Sequence, residues 1–446
     1  MIPLSEMLAI FSLFLLSAMA MRGQDGALDR AFAKIPLEQW LKDKGAEARI
    51  GWSMRIFPAR LTAHQRLAAV VSVDIDGVEF LKRNKPGQVV VFLEIRDGDN
   101  RAYRNYRVMT LPVGNNPSDA ATVSFQQNTF VLPGEYSVAA AVYDRKSKEH
   151  SLKRMKLRVP ELARDPLREC WRDLPAVEFA GLPDPPDRWY LPEITSRLHL
   201  PVKPERPVRV EVVVNESPTE MATAGRTGRV SRRNMGNLIP ALKVLSQMEI
   251  GNGSMNVTLL DLERRKVSFT QEEVGTLDWT RLRAALLAND PDQIDVHALE
   301  NHEQNAQFFV SEVRKRLESS ESNGDVPLGL SAEPARVLIV LSGPMAFPKG
   351  QDLRPIEATP EPGSRVFYIR YNPPISAPGG LTLGGFSGRR GGGPPPNAGV
   401  GVRGVLTQDS LGSTLKPLAP RLFDVTTPAE FRNALAAIMS EISQLK

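Results

Sequence analysis

EVVVNESPTE, residues 211–220, is a β-branched run that passes straight into a cluster of oxygen-bearing side chains. With the two residues before it the run becomes RVEVVV, continuous apolar β character of the kind buried on both faces of a parallel sheet. Asn215, Ser217 and Thr219 follow two apart at its carboxyl end. Oxygens at that spacing suit either a cation site or a polar strand-to-helix turn capped by side-chain hydrogen bonds. The choice between the two decides what the chain can do.

Downstream, strand and helix patterns alternate. MGNLIPALKVLSQM has helical spacing, with Leu238, Ala241, Leu242 and Leu245 on one stripe and Pro240 expected in the first turn. SMNVTLLDL and RKVSFT read as a strand pair around a charged turn, and DWTRLRAALLA and HEQNAQFFVSEVRKRLE as amphipathic helices. RVLIVLSG, SRVFYIRY and RLFDV are further strands. TPAEFRNALAAIMSEISQL closes the chain as a helix, with Thr427 as N-cap, Pro428 at the first position and Glu430 at the third. Alternation of this length predicts an α/β doubly wound, mostly parallel sheet over 207–446.

In such a sheet, ligands bind beyond the carboxyl ends of the strands where the winding reverses, which is where 211–220 is expected. The turn there resembles the adhesion site of von Willebrand factor A domains, Asp-x-Ser-x-Ser after the first strand. Asn215-x-Ser217-x-Thr219 stands in its place, Ser342 in LIVLSGPM stands at the family's aspartate after the fourth strand, and Thr276 in EEVGTLDWTRL is the candidate second-loop threonine. The resemblance implies the A fold, protein–protein contact and no enzyme activity. Exchanging both aspartates for Asn215 and Ser342 keeps oxygens but removes two negative charges, and hard cations are usually held with carboxylates. A degenerate site without a cofactor is therefore expected; the alternative is adhesion through Mg²⁺ or Ca²⁺.

Ahead of this region, residues 50–160 read as an antiparallel, immunoglobulin-like β-sandwich. Strand-length runs such as QVVVFLEIRDGDN and GEYSVAAAVYD are separated by turn chemistry at DG, NPSD and LPG. Residues 21–49 form a partly helical lead-in, and 161–206 a proline-rich connector able to form short edge strands or an ordered linker. The first 20 residues resemble a secretory signal, with an apolar stretch from Met7 to Leu16 and Ala18-Met19-Ala20 as a cleavage pattern. The glycine- and proline-rich stretch 373–417 reads as a long loop that buries no core.

The whole chain has 446 residues, enough for two or three domains, with 42% hydrophobic and 24% charged residues. A net charge of +5 without basic runs interleaved with aromatics gives no sign of nucleic-acid binding. The one cysteine, Cys170, forbids an intrachain disulfide and has no neighbouring histidine, so it reads as a buried thiol. HALENH, 297–302, offers two histidines about 500° apart around a helix, so they share no face, and it matches no zinc motif. A dispersed-site hydrolase would need convergent reactive side chains, and the sequence shows no Gly-x-Ser-x-Gly elbow. The expectation is an exported, periplasmic or secreted, non-enzymatic module that binds a protein partner, with no membrane span after signal cleavage.

Overall fold

The structure is a computed structural model that describes residues 36–42, 50–76, 88–110, 122–181, 194–217, 232–288, 303–318, 334–345, 356, 364–371 and 409–445. The signal-like segment, Thr219, HALENH and most of the glycine-rich stretch lie outside the described residues. The described part is mostly β. No helix among the described residues is long and apolar enough to cross a membrane.

Helix α1 (Leu37–Lys42) precedes strands β1 (Trp52–Leu61), β2 (Leu67–Ile75), β3 (Gln88–Arg96), β4 (Ala102–Thr110), β5 (Val123–Val131), β6 (Gly134–Asp144), β7 (His150–Val159) and β8 (Val177–Phe179). They form two antiparallel four-stranded sheets, ordered β1-β2-β5-β8 and β4-β3-β6-β7. Period-two alternation drives the packing: Leu67, Ala69, Val71, Val73 and Ile75 of β2 share one buried cluster with Val89, Val91, Leu93 and Ile95 of β3. The outer face of the second sheet is partly covered by α1, whose Trp40 stacks on His150 at 3.9 Å. Strand β1 escapes sequence reading because Pro58 interrupts it; the pairing with β2 shifts register between Phe57 and Arg60, and an edge strand tolerates that. The described part of the connector gives β8 to the sandwich and β9 (Leu200–Val202) to a short parallel pair with β11 (Met248–Ile250).

The rest of the chain builds β10 (Val208–Asn215), α2 (Arg232–Leu245), β12 (Gly253–Asp261), β13 (Lys266–Gln271), α3 (Trp279–Ala288), α4 (Glu303–Glu318), β14 (Ala335–Ser342), β15 (Arg365–Tyr371), α5 (Ser410–Leu415), β16 (Arg421–Val425) and α6 (Pro428–Ser443). Six strands form one sheet ordered β13-β12-β10-β14-β15-β16. β10 pairs in parallel with β12 and β14, β15 in parallel with β14 and β16, and β13 antiparallel with β12. Val208, Val210, Val212 and Val214 pack with Leu238 and Leu242 of α2 and Leu435 and Ile438 of α6. Val213, Leu338 and Val340 join Phe309 and Val313 of α4 and Leu411 and Leu415 of α5 in a second cluster. A continuous apolar run such as VLIVL is what burial on both faces requires.

Gly253 begins β12 against the first residue of β10. A Cβ there would lie 1.8 Å from the Val208 carbonyl oxygen, so no larger residue fits. Two expectations are corrected. Pro240 lies inside α2, about two turns from its start, because the polar residues before Leu238 are already helical. The glycine-rich stretch does not run unbroken to 417, since Ser410–Leu415 is a helix capped by Asp409, which accepts from the Gly412 amide. The terminal helix shows the capping box expected of Thr427 and Glu430.

Candidate functional site

The carboxyl edge of the six-stranded sheet carries a polar row. Asn215 pairs with Leu260 of β12, Ser342 of β14 pairs with Arg370 of β15, and Arg370 pairs with Asp424 of β16. Asn215 and Ser342 are joined by a 3.0 Å hydrogen bond from Nδ2 to Oγ. Laterally paired residues point to one face, so Asn215, Ser342, Arg370 and Asp424 line up across four neighbouring strands. They follow the apolar residues Val213, Val340 and Tyr368, which are packed beneath α4 and α5. The row sits where β10 lies between a strand later in the chain on one side and a still later one on the other.

Its central part is neutral and internally wired. Asn215, Ser217 and Ser342 are at most 2% exposed. The Asn215 Oδ1 accepts from the Ser217 amide at 3.0 Å, which forces Nδ2 toward Ser342 and Met345 Sδ. The Ser342 hydroxyl donates to the Gly343 carbonyl at 2.7 Å. Ser217 Oγ accepts from the backbone amides of Leu262 and Glu263 at 2.6 and 3.3 Å, tying the end of β10 to the β12–β13 turn. Among the described members, Asn215, Ser217 and Ser342, each side-chain oxygen already receives a hydrogen bond from an N–H, and none is a carboxylate. This donor set does not fit Mg²⁺ or Ca²⁺. Among the described residues no group of three or more His, Cys, Asp and Glu side chains could hold a metal ion.

The structure separates Thr276 from these residues. Val274 donates to the carbonyl of Met255, near the amino end of β12, whereas Asn215 pairs with Leu260. Five strand residues, about 16 Å, divide the two ends. Thr276 Oγ1 instead accepts from Arg197 at 3.0 Å on the surface. The expectation that Thr276 completes the site is therefore corrected: β13 runs antiparallel and returns the chain to the opposite edge of the sheet.

The charged residues of this edge were not singled out in the sequence. Arg370 lies between Asp424 and Asp409, reaching Asp409 Oδ2 at 3.2 Å. Asp409 caps α5 and stands 3.3 Å from the Tyr368 hydroxyl. Burial, and after it the Asp409 carboxylate, pushes the Tyr368 phenol well above its ordinary value, so it stays a neutral donor. On the other flank Glu263 is pushed up by burial and then by the Asp261 carboxylate beside it. Glu216 points away from Asn215, as alternation demands, and accepts from Ser268 of β13. The one signal for Arg370 and Asp424 was a charge near the carboxyl end of an otherwise apolar strand, in SRVFYIRY and RLFDV.

No protein-family description and no curated protein matches the chain. Solved structures give faint likenesses. A Bordetella pertussis chain named as an ApaA protein is 13% identical, over 25% of this chain and 97% of that one, with a TM-score of 0.17. A glycosyl hydrolase family 2 member from Bacteroides cellulosilyticus DSM 14838 is 9% identical, over 65% of this chain and 36% of that one, with a TM-score of 0.19. A second structure of such a family 2 member from Bacteroides cellulosilyticus covers 66% of this chain and 37% of its own, also at 9% identity, with a TM-score of 0.18. Two of these faint likenesses are to hydrolases, and the expectation that the chain is not an enzyme is dropped. At such TM-scores the likeness assigns neither a fold nor a reaction to this chain.

Proposed function

We propose that the chain is an exported recognition module of the von Willebrand factor A type. In this reading the six-stranded sheet is a doubly wound α/β domain carried beside a β-sandwich, and a protein partner is engaged at its carboxyl edge. The observation that carries the proposal is the polar row Asn215, Ser342, Arg370 and Asp424, placed where the strand order reverses about β10. That is where open α/β sheets present their binding surface. The donor set supports recognition without a cation, because the neutral clamp spends its oxygens on the fold. Among the described residues of this row, the exposed charged groups are Arg370, with 27% of its side chain exposed, and its ion-pair partner Asp424, with 56%. Arg370 brings a planar donor fork and Asp424 an acceptor, and such groups give specificity when a partner covers them.

The test is capture of envelope proteins on the immobilised chain, repeated with Arg370→Ala and with Asp424→Ala. A partner held by the native chain and lost on either variant, with unfolding midpoints unchanged, supports the proposal. A partner held equally by all three chains places recognition elsewhere on the molecule.

A further inference from the structure

The sandwich and the six-stranded unit meet at a joint built around one buried arginine. Arg432, in the first part of α6, is 2% exposed. Its guanidinium bonds Asp165 Oδ2 at 2.8 Å, the Leu167 carbonyl at 2.9 Å, Cys170 Sγ at 3.3 Å and the Gln65 carbonyl at 3.4 Å. It also lies 4.5 Å from the centre of the Trp171 ring, and Trp171 donates to the same Gln65 carbonyl at 2.7 Å. Gln65, in the hairpin between β1 and β2, is wholly buried in a left-handed conformation with φ of 58°. It reaches across to the Pro428 carbonyl of α6 at 3.1 Å. A non-glycine residue is strained in that region, so the hairpin tip is shaped by what it docks against.

His64 sits beside Gln65 in this tip. It is 6% exposed, its ring stands edge-on to Phe130 at 6.0 Å, and its Nδ1 is buried without a hydrogen-bond partner among the described residues. After burial, the charges of Lys243 from α2 and Arg66 from its own hairpin disfavour its protonation. Arg66 is itself buried, paired with Glu178 and set 4.9 Å from the Phe130 ring. We infer that the joint between the two units is released by mild acid, with His64 as the group whose protonation opens it.

Burial first, then Lys243 and Arg66, lower the His64 pKa to about 3 in the closed joint. In an open joint the ring regains its ordinary value near 6.5. The folded value is depressed for a base, so the closed state is fully favoured above about pH 6.5 and loses that advantage as pH falls toward 3. The same arithmetic gives a rise of roughly 25-fold in the open-to-closed ratio between pH 7 and pH 5. Asp165 and Glu178 do not compete in this window. Burial raises both, the bonds from Arg432 and the charge of Arg66 outweigh it, and their net shift is downward, below the ordinary carboxylate range.

The single cysteine reports the opening, because Cys170 is 2% exposed and touches Arg432. The rate at which full-length protein reacts with a dithiodipyridine is measured at pH 7 and pH 5, each divided by the rate of the same chain unfolded in urea at that pH. A rise of about 25-fold is expected for the native chain, none for His64→Gln, and an unchanged rise for His199→Gln, whose ring meets Arg172 and Glu249 instead of the Gln65 hairpin. A flat native ratio, or a rise that survives in His64→Gln, overturns the inference. If His64→Gln does not fold, the imidazole proton resonances of the native chain decide. A His64 signal that titrates near pH 6.5 in the closed protein overturns it, and one that stays neutral down to pH 5 supports it.

Discussion

The carboxyl edge of the sheet and the joint at Arg432 bury polar groups by opposite means. At Asn215, Ser217 and Ser342 every partner is neutral, and the network closes on itself through short side-chain and backbone bonds. At the joint a full positive charge is taken from water and matched to Asp165, whose side chain is 6% exposed, with carbonyls satisfying the remaining donors. A neutral network costs little to desolvate and gives little charge to a ligand. An ionic joint costs much to desolvate and fails steeply when one partner is removed. The sheet edge thus holds shape with mild chemistry, while the joint concentrates stability in a single side chain.

The sharpest way to break this contrast is Arg432→Ala. It leaves Asp165 buried and unmatched, and a loss of about 3–5 kcal/mol is expected in chemical unfolding. Arg432→Met combined with Asp165→Leu should recover most of that loss, because the desolvation cost disappears with the pair. An Arg432→Ala loss below 1 kcal/mol would mean that the two units are not coupled through this residue.

Asn215→Asp comes next. It replaces the Nδ2 donor facing Ser342 by an acceptor and places a charge where the side chain is fully buried. A loss of about 1–3 kcal/mol is expected at neutral pH, smaller in acid where the carboxyl protonates. The folded carboxyl is raised above its unfolded value, so the penalty grows as pH rises through the ordinary aspartate range. A neutral or stabilising Asn215→Asp would show that the edge still holds the geometry of a cation site.

Thr276→Ala tests the separation of the two sheet edges. The residue is exposed and bonded to Arg197, so its removal should stay within about 0.5 kcal/mol in unfolding and leave the affinity for any captured partner unchanged. The smallest effect is expected from millimolar Mg²⁺ or Ca²⁺, which should not move the native unfolding midpoint. A site occupied at a hundred times its dissociation constant would stabilise by about 2.7 kcal/mol and be plain in the same measurement.

Much of the secondary structure was legible. Unbroken runs such as RVEVVV and RVLIVLSG became the strands buried on both faces, and Thr427, Pro428 and Glu430 marked the start of the last helix by local hydrogen bonding alone. Local signals failed where the partner was distant. β1 was hidden by Pro58, and its pairing is decided by β2 rather than by its own propensity. Of the five candidate residues, Asn215, Ser217 and Ser342 come together, Thr276 does not, and Thr219 lies outside the described residues.

By itself the sequence determined which segments must be buried, because apolar periodicity and capping act within a few residues. It also determined that Asn215 and Ser342 bring oxygens without charge. Only the tertiary structure decided which polar groups meet: Arg370 with Asp409 and Asp424 across the strand ends, and Arg432 with Asp165 from 267 positions away. Strand direction sent Thr276 to the far edge, and the fold of one hairpin tip buried His64 beside Arg66. Burial and charge matching depend on distance in space, and no window of neighbouring residues contains that distance.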